Sequence, residues 1–205
     1  MKIITVSREF GSGGRELGKR LADSLGFAYY DKEIISQIAS DEGLCEEYVQ
    51  RVLESPSSFG YTLSFSRSFL SIQNVDIAPT LLAKQHNLIK KIARSGNCVI
   101  VGRGADQILK EHDPLRLFVY ADMASKLERC RSRAEEGEDI NEKTLKRKIK
   151  SIDKARAENY AFVSDTPWGD KSAYDLCVNT TYTEIKAIVP VIRDYAKVWF
   201  ERKEV

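Results

Sequence analysis

The sequence predicts a three-layer α/β domain in which a five-stranded parallel sheet carries helices on both faces. Two patterns support this. Short apolar, β-branched runs recur along the chain, and amphipathic stretches of helical length separate them. Parallel strands cannot be joined by tight turns, so this alternation argues for crossover helices covering both faces of one sheet. A third feature marks where chemistry should lie: the first strand runs straight into a glycine-rich turn, Gly11-Ser12-Gly13-Gly14.

The strands are expected at 3–6, 28–30, 98–101, 115–121 and 174–178. Residues 15–25 place Leu17, Leu21, Ala22 and Leu25 at helical spacing. Residues 79–93 do the same with Leu81, Leu82, Leu88, Ile89 and Ile92, and 32–39 also reads as helix. A last helix over about 183–202 would pack on the sheet through Ile185, Ile188, Val189, Ile192 and Trp199, with a kink or break at Pro190. Two stretches depart from the pattern. Residues 55–71 are rich in serine and aromatics and suggest a surface excursion, while 129–156 is dominated by charge. The charged stretch fits either a solvated helical face or a lid closing over polyphosphate. The expected layout is a single domain over 1–205, with a core at about 1–40, 86–128 and 171–205, an insertion at about 41–85 and a helical lid at about 129–170.

At 205 residues and 42% hydrophobic content, the chain is long enough for one full core. Its 32 basic and 30 acidic residues leave a net charge of +2, which gives no argument for a nucleic-acid or membrane partner. No apolar run approaches the roughly 20 residues that span a bilayer. Cys45, Cys98, Cys130 and Cys177 are scattered, without a CxxC pair, and the start shows no signal-peptide pattern. They are expected to be reduced thiols in a cytoplasmic protein. His86 and His112 suggest no role.

The turn is the strongest functional signal. A phosphate needs backbone N–H groups lining a concavity and the positive end of a helix facing it. The segment from Ser7 to Arg15 follows an apolar strand, holds three glycines in four residues and opens into an amphipathic helix. It departs from G-x-x-x-x-G-K-[ST], because Gly14-Arg15 stands where the lysine and hydroxyl belong. Arg8, Arg15 or Lys19 could supply the cation. Ser12 is the nearest hydroxyl for a magnesium ion.

The chain resembles the cytidylate kinase-like family, relatives of cytidylate kinase among the P-loop nucleoside monophosphate kinases. The resemblance runs through residues 4–14, Tyr30-Asp31, Val101-Gly102-Arg103-Gly104-Ala105-Asp106, Asp153-Lys154-Ala155-Arg156, Tyr174-Asp175-Leu176 and Asn179-Thr180. It implies a three-layer P-loop kinase fold with a helical lid, ATP as phosphoryl donor and Mg2+ as its ion. By resemblance, Gly11, Ser12, Gly13, Gly14 and Arg15 bind nucleotide phosphates, with Ser12 on the metal. Arg8, Arg15, Arg129 and Arg156 are the catalytic candidates, Arg129 and Arg156 from the lid side. Asp31, Arg103, Asp153 and Arg156 are the acceptor-binding candidates. Arg103 suits an acceptor phosphate because its planar fork takes two oxygens. The chain also departs from the family pattern: Val101 replaces an acidic residue, Gln37 an acceptor-phosphate arginine, and Ile149 a lid arginine.

Read without the family, Asp153 and Arg156 form an i, i+3 ion pair worth a few tenths of a kcal/mol, and Asp31 could be a helix N-cap. Phosphoryl transfer asks mainly for positioning and positive charge, so arginines converging from loop, core and lid form a coherent set. The expected activity is phosphoryl transfer from ATP to a small phosphorylated acceptor, foremost a pyrimidine nucleoside monophosphate such as CMP. The alternatives are a kinase of the same fold for another small metabolite, and a nucleotide-binding regulatory module with decayed catalysis. The expected partners are small-molecule nucleotides.

Overall fold

The computed structural model describes residues 1–54, 77–133 and 141–202. Its elements run β1 (Ile3–Arg8), α1 (Gly14–Leu25), β2 (Ala28–Tyr30), α2 (Glu33–Glu42), α3 (Glu46–Glu54), α4 (Ile77–Ser95), β3 (Cys98–Val101), α5 (Ala105–Ile108), β4 (Leu115–Tyr120), α6 (Met123–Arg131), α7 (Glu142–Tyr160), β5 (Leu176–Asn179) and α8 (Ile185–Glu201). The five strands form one parallel sheet in the order β2-β3-β1-β4-β5. The central β1 pairs Val6 with Val101 on one side and Leu117 on the other.

Side-chain alternation along the strands builds two cores. Ile3, Cys98 and Ile100 face α2, α3 and α4, meeting Ile34, Ile38, Leu81 and Ile89. Ile4, Val6, Val99 and Val101 face α1 and α8, meeting Leu17, Leu21, Val189 and Ile192. Each fully buried leucine or isoleucine contributes about 1.5–3 kcal/mol, and the double coverage explains why these strands read as continuous apolar runs. A smaller aromatic cluster of Phe118, Tyr174 and Trp168 closes the β4 end, with Trp168 edge-on to Phe118 at a ring separation of 5.3 Å.

Most expected elements are present, with shifted ends. β1 extends two residues further, to Arg8, and β5 begins later, at Leu176. Of the kink or break expected at Pro190, the break does not occur, since α8 runs unbroken from Ile185 to Glu201. Pro190 stands in its second turn, where the chain keeps one apolar face on the sheet. The expected insertion boundary at 85–86 falls inside α4, and the expected lid boundary at 129 falls inside α6. The serine-rich stretch 55–71 lies outside the described residues. No helix among them is long and apolar enough to cross a membrane, and the four cysteines are free thiols.

Arg116 ties β4 to the start of β5: its guanidinium donates twice to Asp175, at 3.1 and 2.8 Å, and its N–H donates once more. Asp175→Asn keeps the shape but removes the charge, and is expected to cost about 1–3 kcal/mol in urea unfolding.

Candidate functional site

The glycine-rich loop lies at the carboxyl end of the central strand, where ligands bind in open α/β sheets. Gly11 and Gly13 adopt left-handed φ of 78° and 83°, conformations that side-chain-bearing residues rarely take. Both are also packed against neighbours: a Cβ at Gly13 would collide with Ile185, and one at Gly11 would lie 3.0 Å from the Lys126 carbonyl oxygen. The loop is fastened from outside as well. The Thr180 hydroxyl donates to the Ser12 carbonyl at 2.7 Å, and Glu9 N–H donates to Val119 at 2.9 Å. Beyond Gly14, whose N–H is taken by the Ser12 hydroxyl, the first turn of α1 directs backbone N–H groups toward the helix's N-terminal end.

Ser12 does not occupy the position that a metal ligand needs. It is fully buried, and its hydroxyl donates to the Glu9 carbonyl at 2.9 Å while accepting from Gly14 N–H. The described residues hold no group of three acidic, histidine or cysteine side chains suited to a metal. Among the described residues there is therefore no magnesium site held by protein side chains alone.

Helix α7 docks on the loop through the Asp153-x-x-Arg156 pair. Asp153 accepts the Phe10 N–H at 2.6 Å and faces the Lys126 ammonium at 3.5 Å, and Lys126 also pairs with Glu9 at 2.6 Å. Arg156 donates to the Arg8 carbonyl at 3.0 Å. This is not the exposed surface pair that the spacing alone suggests. Burial raises the Asp153 carboxyl, against the lowering effect of the Phe10 N–H and Lys126, and burial lowers the Arg156 guanidinium. Ile149, where the family pattern has an arginine, is fully buried against Leu127 and Leu145 and anchors the same helix.

Beside the loop opens a cavity of about 430 Å³, walled by α3, α4, α7 and the turn after β3. Arg8, Arg15, Arg103 and Arg156 all line it. Asp31 is not an N-cap: it is buried and pairs with both Arg8, at 3.5 Å, and Arg15. Burial together with the nearby Arg156 draws the Arg8 guanidinium down to about 9. Arg103 has φ of 62° between left-handed Gly102 and Gly104, a strained conformation costing on the order of 1 kcal/mol. Its guanidinium donates to Glu54 at 2.7 Å. Burial opposes ionisation of Glu54, but Arg103 holds its carboxyl below the ordinary range.

Arg129 stands apart from these four. It is on α6 and donates to the Thr180 and Thr183 carbonyls, close to Gly13 on the other side of the loop. Its partners are the β5–α8 connection, so it braces the core rather than projecting from a lid. Lys19 turns away to Asp23 at 2.8 Å.

The cavity also contains residues that the sequence did not single out. Gln85 is buried with its Oε1 unpartnered among the described residues, as are His86 Nε2 and Asn159 Oδ1, and all three residues line the cavity. Gln85 had a legible signal, since it interrupts the apolar stripe Leu81, Ile89, Ile92 of α4. Lys126 had none, because a lysine in a charged helix reads as solvated. The Tyr160 hydroxyl donates to the buried Asp106 carboxylate at 2.6 Å, fixing the end of α7 beneath the cavity.

A glycine cradle thus lies beside an arginine-lined cavity, on a sheet ordered 2-3-1-4-5. The chain belongs to the cytidylate kinase-like family. That family's model matches residues 3–182. Among curated relatives, cytidylate kinase of Pyrococcus horikoshii is 25% identical over 192 residues, spanning 93% of this chain and 86% of the relative. Cytidylate kinase of Thermococcus kodakarensis is 26% identical over the same shares. An uncharacterized protein from Eubacterium ventriosum superposes with a TM-score of 0.70 at 26% identity, covering 96% of this chain and 99% of that one. Shikimate kinase from Bacteroides thetaiotaomicron superposes at 0.58 with 14% identity, covering 96% and 98%, a likeness of fold. The architecture is that of a P-loop kinase, and family membership makes the protein a phosphotransferase.

Tyr160→Phe is expected to cost about 1–3 kcal/mol, because Asp106 loses its short donor in a buried place. Burial already raises the Asp106 carboxyl, and the tyrosine works against that rise. Without it the folded-state value climbs further. The unfolded chain ionises above its ordinary value near 3.8, so the loss is larger at pH 8 than at pH 4. Urea unfolding at the two pH values measures the difference.

Proposed function

We propose that the protein transfers the terminal phosphoryl group of ATP to a small phosphorylated acceptor, foremost a pyrimidine nucleoside monophosphate such as CMP. The observation that carries this reading is the convergence of Arg8, Arg15, Arg103 and Arg156 on one cavity beside the glycine cradle. Four cations facing a confined space, with Asp31 and Glu54 as the acidic partners of three of them, favour an anionic ligand. Burial makes that attraction stronger than it is in water. A phosphate monoester suits the forked donors of Arg103 and Arg156. The donor triphosphate would lie along the loop N–H groups and the start of α1, with Arg129 near its outer side. Magnesium would come with the nucleotide, held by phosphates and water, because Ser12 is turned inward.

The acceptor's remaining polar groups would meet Gln85 and His86 from α4 and Asn159 from α7, which also line the cavity. Phe10 and Trp168 offer faces for a planar ring, and the cavity volume of about 430 Å³ falls within the usual range of small-molecule sites. Phosphoryl transfer asks for alignment and charge neutralisation and for little covalent participation. The arginines supply both, since Arg8 and Arg156 are joined through the loop backbone and keep a fixed relation to the cradle.

A panel of nucleoside monophosphates assayed for ADP release tests the reading, with CMP expected among the best acceptors. Absence of turnover with every member, for protein stabilised by ATP, overturns the monophosphate assignment. Arg103→Ala is expected to raise the acceptor KM about 10- to 100-fold, the loss of one charged hydrogen-bond pair, with the ATP KM nearly unchanged. A matching rise in the ATP KM would place Arg103 on the donor side instead.

A further inference from the structure

The loop lacks the lysine of the usual phosphate-binding motif, and the structure shows what stands in its place. In the spacing G-x-x-x-x-G-K, taking Gly13 as the second glycine puts the first glycine position at residue 8 and the lysine position at residue 14. Here residue 8 is Arg and residue 14 is Gly. These are two departures from one motif, and they touch. A Cβ on Gly14 would lie 2.5 Å from the Arg8 Cβ and 3.1 Å from its Cγ. Any side chain at 14 would therefore run into the stem of Arg8. At the other end of that side chain, a Cβ on Gly102 would collide with the Arg8 guanidinium. Arg8 thus occupies a channel whose two ends are glycines.

We propose that Arg8 and Gly14 are a reciprocal exchange: Arg8 supplies the loop's missing cation from the end of β1, and Gly14 is the space its stem requires. The other candidate cations are committed elsewhere. Lys19 pairs with Asp23, Lys126 is buried between Glu9 and Asp153, and Arg15 is half exposed and held by Asp31. Arg8 has the loop carbonyl at its root and the cavity at its tip. A lysine at the start of α1 serves the donor phosphates. Arg8 instead delivers its charge where the cradle meets the acceptor cavity, and a planar fork there can hold one oxygen from each side of the transfer. Asp31, 3.5 Å away, steers the guanidinium. The chemical role rests on the kinase reading; the steric coupling does not.

The test is a double-variant cycle on the full chain: Arg8→Gly, Gly14→Ala, both together, and R8G/G14K, which restores the lysine motif. Gly14→Ala is expected to lower Tm by about 5 °C while Arg8 is present, the cost of a crowded core contact, and by clearly less once Arg8 is glycine, when the Val119 Cβ, 3.1 Å away, is the remaining close neighbour. Equal losses in both backgrounds overturn the coupling. In turnover, Arg8→Gly is expected to lose about 100-fold or more in kcat, and R8G/G14K to recover at least tenfold of that. An Arg8→Gly variant that keeps kcat, or a double variant no better than Arg8→Gly, overturns the exchange. If the unaltered chain turns over no monophosphate, the kinase reading has failed on its own. The exchange is then read from stabilisation by ADP, which Arg8→Gly must diminish and R8G/G14K must restore; unchanged stabilisation overturns it.

Discussion

The site depends on one buried guanidinium. Arg8 leaves the end of the central strand, passes over Gly14, ends against Gly102 and faces Asp31. A buried cation is costly unless it is paired, and a carboxylate 3.5 Å away is a modest partner for a group also pressed by Arg156, Arg103 and Arg15. The fold keeps this arrangement because its surroundings leave no alternative. The glycines on both sides admit the side chain, and Asp31 is fixed by the short strand β2. Arg156 is hydrogen-bonded to the Arg8 backbone carbonyl, which places its charge at the root of the Arg8 side chain.

Repulsion among the four arginines is therefore built into the unliganded protein. Asp31 is shared between two of them, and Glu54 serves a third while its own burial works against ionisation. On the proposed function, an incoming dianion would gain from each of these contacts, since it would replace like-charge proximity with charge-assisted hydrogen bonds. Preorganisation of this kind costs stability in the empty state and returns it on binding. The left-handed Arg103 belongs to the same economy of strain. Its conformation is unfavourable for an arginine, and the flanking glycines confine the distortion to one residue.

The fold was legible because it rests on short-range patterns. The apolar β-branched runs located four strands and the short run at 28–30 the fifth, with 28–30 and 98–101 matching to the residue. The loop was legible because its glycines follow a strand and precede a helix. What the sequence could not convey was pairing across long separations. Nothing local distinguishes Lys126, bound to Glu9 and Asp153, from the solvated lysines of its neighbourhood. Asp153 and Arg156 looked like a surface pair because helical spacing reports only the neighbour three residues away, whereas their main partners are Phe10 and Arg8. Pro190 misled in the opposite sense only in suggesting that the helix breaks there. Loss of one hydrogen bond early in a helix is small beside the apolar contacts of Ile185, Val189 and Ile192 with the sheet. Ser12 was chosen by proximity to the motif, and only the backbone course shows its hydroxyl turned inward.

Helix α7 joins these parts into one unit. Its Asp153 holds the loop N–H of Phe10, its Arg156 holds the carbonyl of Arg8, and its last turn is fixed by Tyr160 on Asp106 behind the cavity. The same helix presents Asn159 to α3, where it donates to the Glu54 carbonyl at 3.2 Å. A displacement of α7 would therefore alter the cradle, the cation at its root and the cavity wall together. A helix tied to only one of these could open one side of the site while leaving the other formed. Tied to all of them, it couples the geometry of the cradle to that of the cavity, an arrangement that suits the proposed reaction, in which two anions would have to be brought together before either is committed.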